Sequence, residues 1–167
     1  MSSTMICYDG SPSARNALTI AYRSLDSRPK VLLTVWSPPA RVCPDSFGFD
    51  EQSDGVSYGR LCELVERAAQ QTADEGQQLA AELGFDVQVR VEANHSTVPQ
   101  TILDVADEFD SEMILVGTHG MTAVQTRLLG SVSGAVANQS HRPVLLVPTP
   151  DARASAALRD AIAHGEA

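Results

Sequence analysis

The chain is poor in positive charge. Its 167 residues include one lysine, Lys30, and eleven arginines against 21 acidic residues, for a formal net charge of -9. Binding a polyphosphate over a broad face needs clustered Lys and Arg, so this balance disfavours DNA and RNA as partners. Any anion must be held locally, by backbone N–H groups and a helix terminus. Cysteine is scarce too. Cys7, Cys43 and Cys62 are odd in number and irregularly spaced, which suits neither a disulfide framework nor a metal cage and fits a reducing compartment. No apolar run approaches the roughly 18 residues of a spanning helix. The opening MSSTMICYDG has no basic segment followed by a greasy one, so a cytoplasmic protein without a membrane partner is expected.

Short runs rich in Val, Ile and Leu recur at residues 4–8, 31–36, 87–91, 113–116 and 144–147. They are nearly continuous rather than alternating, as in strands covered on both faces of a parallel sheet. Between them lies helical periodicity. A first helix is expected from Ser11-Pro12-Ser13 through Ala14, Ala17, Leu18, Ala21 and Leu25, with a hydroxyl cap and proline in the first turn. A longer second helix carries Leu61, Leu64, Val65, Ala68, Leu79 and Leu83 and stops at Gly84. A third carries Ile102, Leu103, Val105, Ala106 and Phe109, and a fourth opens near Ser131 and stops near Arg142-Pro143. Right-handed crossovers then give a single α/β domain: a three-layer, Rossmann-like fold whose five-stranded parallel sheet carries helices on both faces.

Residues 1–149 account for that domain. Within it, residues 37–56 hold three prolines, two glycines and four acids, a stretch long enough to read as a long loop or lid. Residues 150–167 read as a loosely docked C-terminal tail with a short helix through Ala154, Ala157, Leu158, Ala161 and Ile162.

The chemistry concentrates where the fourth strand ends. Gly117-Thr118-His119-Gly120 is followed nine residues later by Gly130-Ser131 at the start of a helix. Gly117 and Gly120 are expected to let the backbone turn sharply and to keep side chains away from an approaching ribose or phosphate. Gly130, Ser131, Val132 and Ser133 present N–H groups at a positive helix end, and the two serine hydroxyls add donors. His119 and Arg127 lie within the same loop and can reach a phosphate. At the tip of the first strand, Asp9 faces the same crevice if the strand order reverses there; its carboxylate can accept from an adenine amino group or a ribose hydroxyl, or help hold a divalent ion. Turn punctuation explains each piece alone equally well.

Taken together, the residues resemble the universal stress protein family over about residues 4 to 148: Asp9-Gly10-Ser11, Leu33-Thr34-Val35, Ile114-Leu115-Val116-Gly117, the glycine pattern with Gly130-Ser131-Val132-Ser133, and Arg142-Pro143-Val144-Leu145-Leu146-Val147-Pro148. The resemblance implies that the glycine loop and its serine hold ribose and phosphates, that Asp9 lies in the nucleotide cleft, and that Val35 contacts adenine through its backbone. It also implies ATP, or ADP or AMP, as ligand; the divalent ion that Asp9 can help hold would then be Mg2+. One departure is Ala93, where glycine is usual before the third helix, with Val98 in a position to replace part of that wall.

The reading is therefore an ATP-binding, stress-response regulatory protein with no dedicated catalytic residue. No Gly-x-x-x-x-Gly-Lys loop, Gly-x-Gly-x-x-Gly fingerprint or His-Glu-x-x-His pair is present. The alternatives are a slow ATP hydrolase, a nucleotide α-hydrolase-like enzyme, and a ligand-free dimeric scaffold. An apolar last strand, Val144 to Val147, is an association hazard unless paired, so a homodimer through that strand is expected.

Overall fold

The computed structural model describes residues 2–24, 28–39, 58–120 and 130–150. Most of the 37–56 stretch, the 151–167 tail and Leu25 lie outside the described residues. The elements alternate as β1 (Ser3–Cys7), α1 (Pro12–Ser24), β2 (Lys30–Trp36), α2 (Tyr58–Glu82), β3 (Gln88–Ala93), α3 (Val98–Glu108), β4 (Ser111–Gly117), α4 (Ser131–Gln139) and β5 (Val144–Val147). All pairings are parallel and the order is β3-β2-β1-β4-β5.

Two apolar layers explain the continuous strand runs. Ile6, Leu32, Leu115 and Val147 face α1 and α2, where Ala17, Leu18, Ala73 and Ala80 are fully buried. Met5, Val31, Leu33 and Ile114 face the other way, onto Ile102, Val105 and Ala106 of α3 and Val136 of α4. Neighbouring residues on one strand thus serve opposite layers, which leaves no polar face for alternation to mark.

Local chemistry sets the helix ends. Ser11 Oγ accepts from Ala14 N–H, Ser11 O accepts the Arg15 N–H, and Pro12 occupies the first turn. Gly84, at φ +95, ends α2. Phe85 N–H donates to Ala80 O and Gly84 N–H to Ala81 O, a paired closure that needs a residue in the left-handed region. Thr97 caps α3 by accepting from Gln100 N–H. β3 runs two residues beyond the expected Val91, because Glu92 and Ala93 stay in register with Val35 and Trp36. The charge of an outer strand masked that extension: Arg90 is paired with Glu92 and Glu108 at the sheet edge.

The chain steps outward from β1 to β3, then returns to β4 on the opposite side of β1. Loops leaving β1 and β4 therefore diverge to opposite faces and open a crevice at their carboxyl ends.

Candidate functional site

A cavity of about 750 Å3 occupies that crevice. Three separate stretches converge on it: Asp9 beyond β1, Val35 of β2, and Gly117, Thr118, His119 and Gly120 beyond β4, which meet Gly130, Ser131, Val132 and Ser133 at the start of α4. Every site residue expected from sequence lines this one cavity except Arg127, which lies outside the described residues.

The first lip is an Asx turn. Asp9 Oδ1 accepts from Ser11 N–H at 3.0 Å, and Gly10 sits at φ +78, a conformation glycine adopts without strain. The carboxylate is exposed toward the crevice. Beneath it, Tyr8 is buried, and its hydroxyl donates to Glu75 of α2, which is also paired with Arg15. Burial, opposed by Arg15 and reinforced by Glu75, pushes the Tyr8 phenol up to about 12.

The second lip is held from three directions. Thr118 N–H donates to Val147 O, Gly130 N–H donates to Thr118 O at 2.8 Å, and Ser13 Oγ donates to His119 O. Thr118 Oγ1 lies 3.0 Å from His119 Nδ1. Gly130 caps α4 without a side-chain hydrogen bond, and the first intrahelical bond is Gly134 N–H to Gly130 O. The N–H groups of Ser131, Val132 and Ser133 precede that bond, at the positive end of the helix.

Two expectations are corrected. Among the described glycines, positive φ is confined to Gly10 and Gly84, so Gly117 and Gly120 are not required for a turn. What they provide is closeness, firmly at Gly117 and against only a flexible carboxylate tip at Gly120. A Cβ on Gly117 would stand 2.4 Å from Ser13 Oγ, one on Gly120 2.9 Å from Asp9 Oδ2, and one on Gly130 2.9 Å from Thr118 O. Second, the Ser133 hydroxyl is not a free donor: it is buried and directed at Thr118 O and Gly130 O, so Ser133 offers the cavity its N–H instead.

Sequence reasoning also missed residues. Cys7 reads as a core residue on a buried strand; it does pack against the core beside α3, but it is half-buried and also lines the cavity. Burial, then the charge of Asp9, pushes its thiol up to about 12, which makes it inert at neutral pH. Ile102 joins Val98 on the apolar wall, where Val98 takes the position expected of it. Ile102 is buried in the core, as its helical period marks it, and lines the cavity as well, which periodicity alone does not show.

Asp9 is the only carboxylate and no Lys or Arg is present among the described lining residues. The cavity thus combines an apolar base with amide donors at one end and a single acceptor at its lip. No group of three or more His, Cys, Asp or Glu side chains converges among the described residues. A Mg2+ ion would find one protein ligand in Asp9 and would take the remainder from water and ligand phosphates, a common arrangement for this ion. No described helix is long and apolar enough to cross a membrane.

The Universal stress protein family sequence model matches residues 1–148. A universal stress protein of Mycobacterium bovis is 28% identical over 149 residues, covering 84% of this chain and 46% of that protein. The chain spans about half the length of the curated relatives it matches. Among solved structures, the universal stress protein from Archaeoglobus fulgidus in complex with dAMP is similar at TM-score 0.58 and 19% identity, covering 88% of this chain and 97% of that one. A universal stress protein in complex with cAMP is similar at TM-score 0.59 and 20% identity, covering 89% and 98%. At these identities the likeness is one of fold.

Proposed function

Because this chain belongs to the universal stress protein family, we propose that it binds an adenine nucleotide, ATP foremost, in the cavity beyond β1 and β4 and acts as a nucleotide-dependent dimeric regulatory module. The observation that carries this reading is the convergence of Asp9, Val35, the Gly117–Gly120 strand tip and the start of α4 on one cavity. The apolar wall of Val35, Val98 and Ile102 accepts a base, and the Val35 backbone recognises its edge. Asp9 accepts from a ribose hydroxyl. The amides of Gly120 and of Ser131 to Ser133 receive phosphate, with Arg127 contributing charge from the same loop. The ligands held by the two similar structures, dAMP and cAMP, share an adenine, a sugar and one phosphate, which supports the adenylate class.

Dimerisation follows from the sheet edge. Among the described residues β5 pairs with β4 alone, and Leu145 on it is 38% exposed, so its outer edge is a place for a second copy to dock.

The test is mass spectrometry of the small molecule released when freshly purified protein is denatured, followed by calorimetry of the stripped protein with ATP, ADP, AMP and GTP. An adenylate in the released fraction and selective adenylate binding are expected. Calorimetry silent toward every adenylate would refute the reading, and ATP recovered intact after hours distinguishes a binder from a slow hydrolase.

A further inference from the structure

Ser11 and Ser13 are 1% and 0% exposed and stand where the two lips of the cavity meet. Ser13 Oγ is 2.5 Å from His119 O and 3.2 Å from Ser11 Oγ, and Ser11 Oγ is 3.2 Å from Ala14 N. Both ends of this chain have fixed roles. A carbonyl only accepts, so Ser13 commits its one proton to His119 O. Ser11 must then donate to the Ser13 oxygen, while the Ala14 N–H, which only donates, takes an acceptor site on Ser11. The four groups are thereby aligned in a single direction, from the first turn of α1 to the tip of β4, and bonds so aligned strengthen one another.

The endpoint matters because peptides are planar and trans. Pulling His119 O toward α1 turns the N–H of Gly120, in the same peptide, to the opposite side. The space occupied by the Ser13 hydroxyl is the space that a Cβ on Gly117 would fill. Gly117 is thus explained by the serine it admits, without reference to a ligand.

We propose that Ser13, with Ser11 behind it, is a positioning residue for the cavity: the buried hydroxyl relay Ala14 N–H to Ser11 to Ser13 to His119 O sets the Gly120 amide against the phosphate of a bound nucleotide. This rests on the nucleotide-binding reading above. Ser13 does not touch the ligand; it acts through the peptide it orients.

The test is Ser13→Ala in the full chain, read by calorimetry with AMP and with adenosine and by amide hydrogen exchange of residues 117–120 in the ligand-free protein. AMP affinity is expected to fall about tenfold while adenosine affinity changes less than about twofold, since only the phosphate depends on the aimed amide. Exchange at Gly120 is expected to quicken. A purely structural serine would weaken both ligands by one factor; that result, or unchanged AMP affinity, overturns the proposal, as does unchanged exchange at Gly120. If wild-type protein binds neither ligand while exchange still quickens, the nucleotide reading fails and the relay stands. Should S13A lose its cooperative melt, Ser11→Ala, which removes the upstream donor together with the α1 cap on Ala14 N–H, is expected to show the same AMP-selective loss at smaller amplitude, and equal losses for AMP and adenosine in it would overturn the proposal.

Discussion

Replacing Gly117 and Gly120 separately by alanine tests whether packing and binding are divided between these two glycines as the contacts indicate. At position 117 the new Cβ would stand 2.4 Å from Ser13 Oγ, 3.0 Å from Ser13 Cβ and 3.2 Å from the backbone N of Ala14. Ser13 is fully buried and Ala14 nearly so, at the start of a helix packed on the sheet, so neither can retreat. Overpacking of this kind costs about 1–3 kcal/mol. For a domain of this size, roughly 2–4 °C of Tm per kcal/mol converts that to a loss of about 2–12 °C. At position 120 the one close described atom is Asp9 Oδ2, 2.9 Å away at the tip of an exposed side chain.

A small rotation of that carboxylate relieves the contact, so Gly120→Ala is expected to cost less than about 0.5 kcal/mol of stability. The same rotation turns the acceptor away from a ribose hydroxyl. A hydrogen bond to a charged group contributes about 1.5–3 kcal/mol, so adenylate affinity is expected to fall at least about tenfold. Thermal melts and calorimetry with AMP on the two variants make the comparison. Gly117→Ala lowering Tm and Gly120→Ala lowering affinity at nearly wild-type Tm is the expected pair. Equal Tm losses, or AMP binding untouched in Gly120→Ala, would refute the assignment.

Gly76 lets α2 approach the sheet, with an added Cβ meeting Leu32 Cδ1 and Tyr8 Cδ1 at 2.8 Å; Gly76→Ala is expected to lower stability by about 1 kcal/mol after the gain in helix propensity, and a raised Tm would contradict it. The Tyr8 phenol, raised from 10.0 to about 12, holds its proton more tightly when folded, so its contribution is whole below pH 10 and disappears as pH rises to about 12. Such a rise is worth at most about 3 kcal/mol, which screening around the half-exposed Glu75 and Arg15 reduces to about 1 kcal/mol. Urea midpoints measured across that window should flatten in Tyr8→Phe, with the Cys7 thiol, also raised to about 12, supplying slope that remains; an unchanged slope would count against the buried, raised phenol. Leu145→Asp places a charge on the outer strand and is expected to convert a dimer to monomer in sedimentation, whereas an unchanged dimer would move the interface elsewhere.

The alternation of strand and helix was readable because both sheet faces are covered: Val31 to Trp36 and Val144 to Val147 show no polar phase, while α1 and α3 keep a clear helical one. Helix ends were readable where one residue decides them, as at Pro12, Gly84 and Ser131. The reasons behind the glycines were not. Gly117 answers to Ser13 and Gly130 to the Thr118 carbonyl, contacts between chain-distant residues that no local pattern encodes. Cys7 packs on the core as a strand residue should, but its place on the cavity lining was not legible, since periodicity tells which face a residue takes and not what opens beside it.

A chain of net charge -9 can still hold an anion if the donors are oriented in advance. Repulsion from distant carboxylates is confined by screening to a Debye length of about 8 Å at physiological salt. Within that radius the described cavity lining places one carboxylate, Asp9, against several backbone N–H groups at and beside the start of α4. Flexible lysines would lose side-chain entropy on gripping a phosphate, whereas amides fixed by folding lose little more. What fixes them is interior: the Ser133 hydroxyl and Gly130 N–H on Thr118 O, and the Ser13 hydroxyl on His119 O. On the proposed nucleotide reading, affinity at the rim of the sheet would depend on buried serines beneath it, and a change in that layer would reach the ligand without touching it.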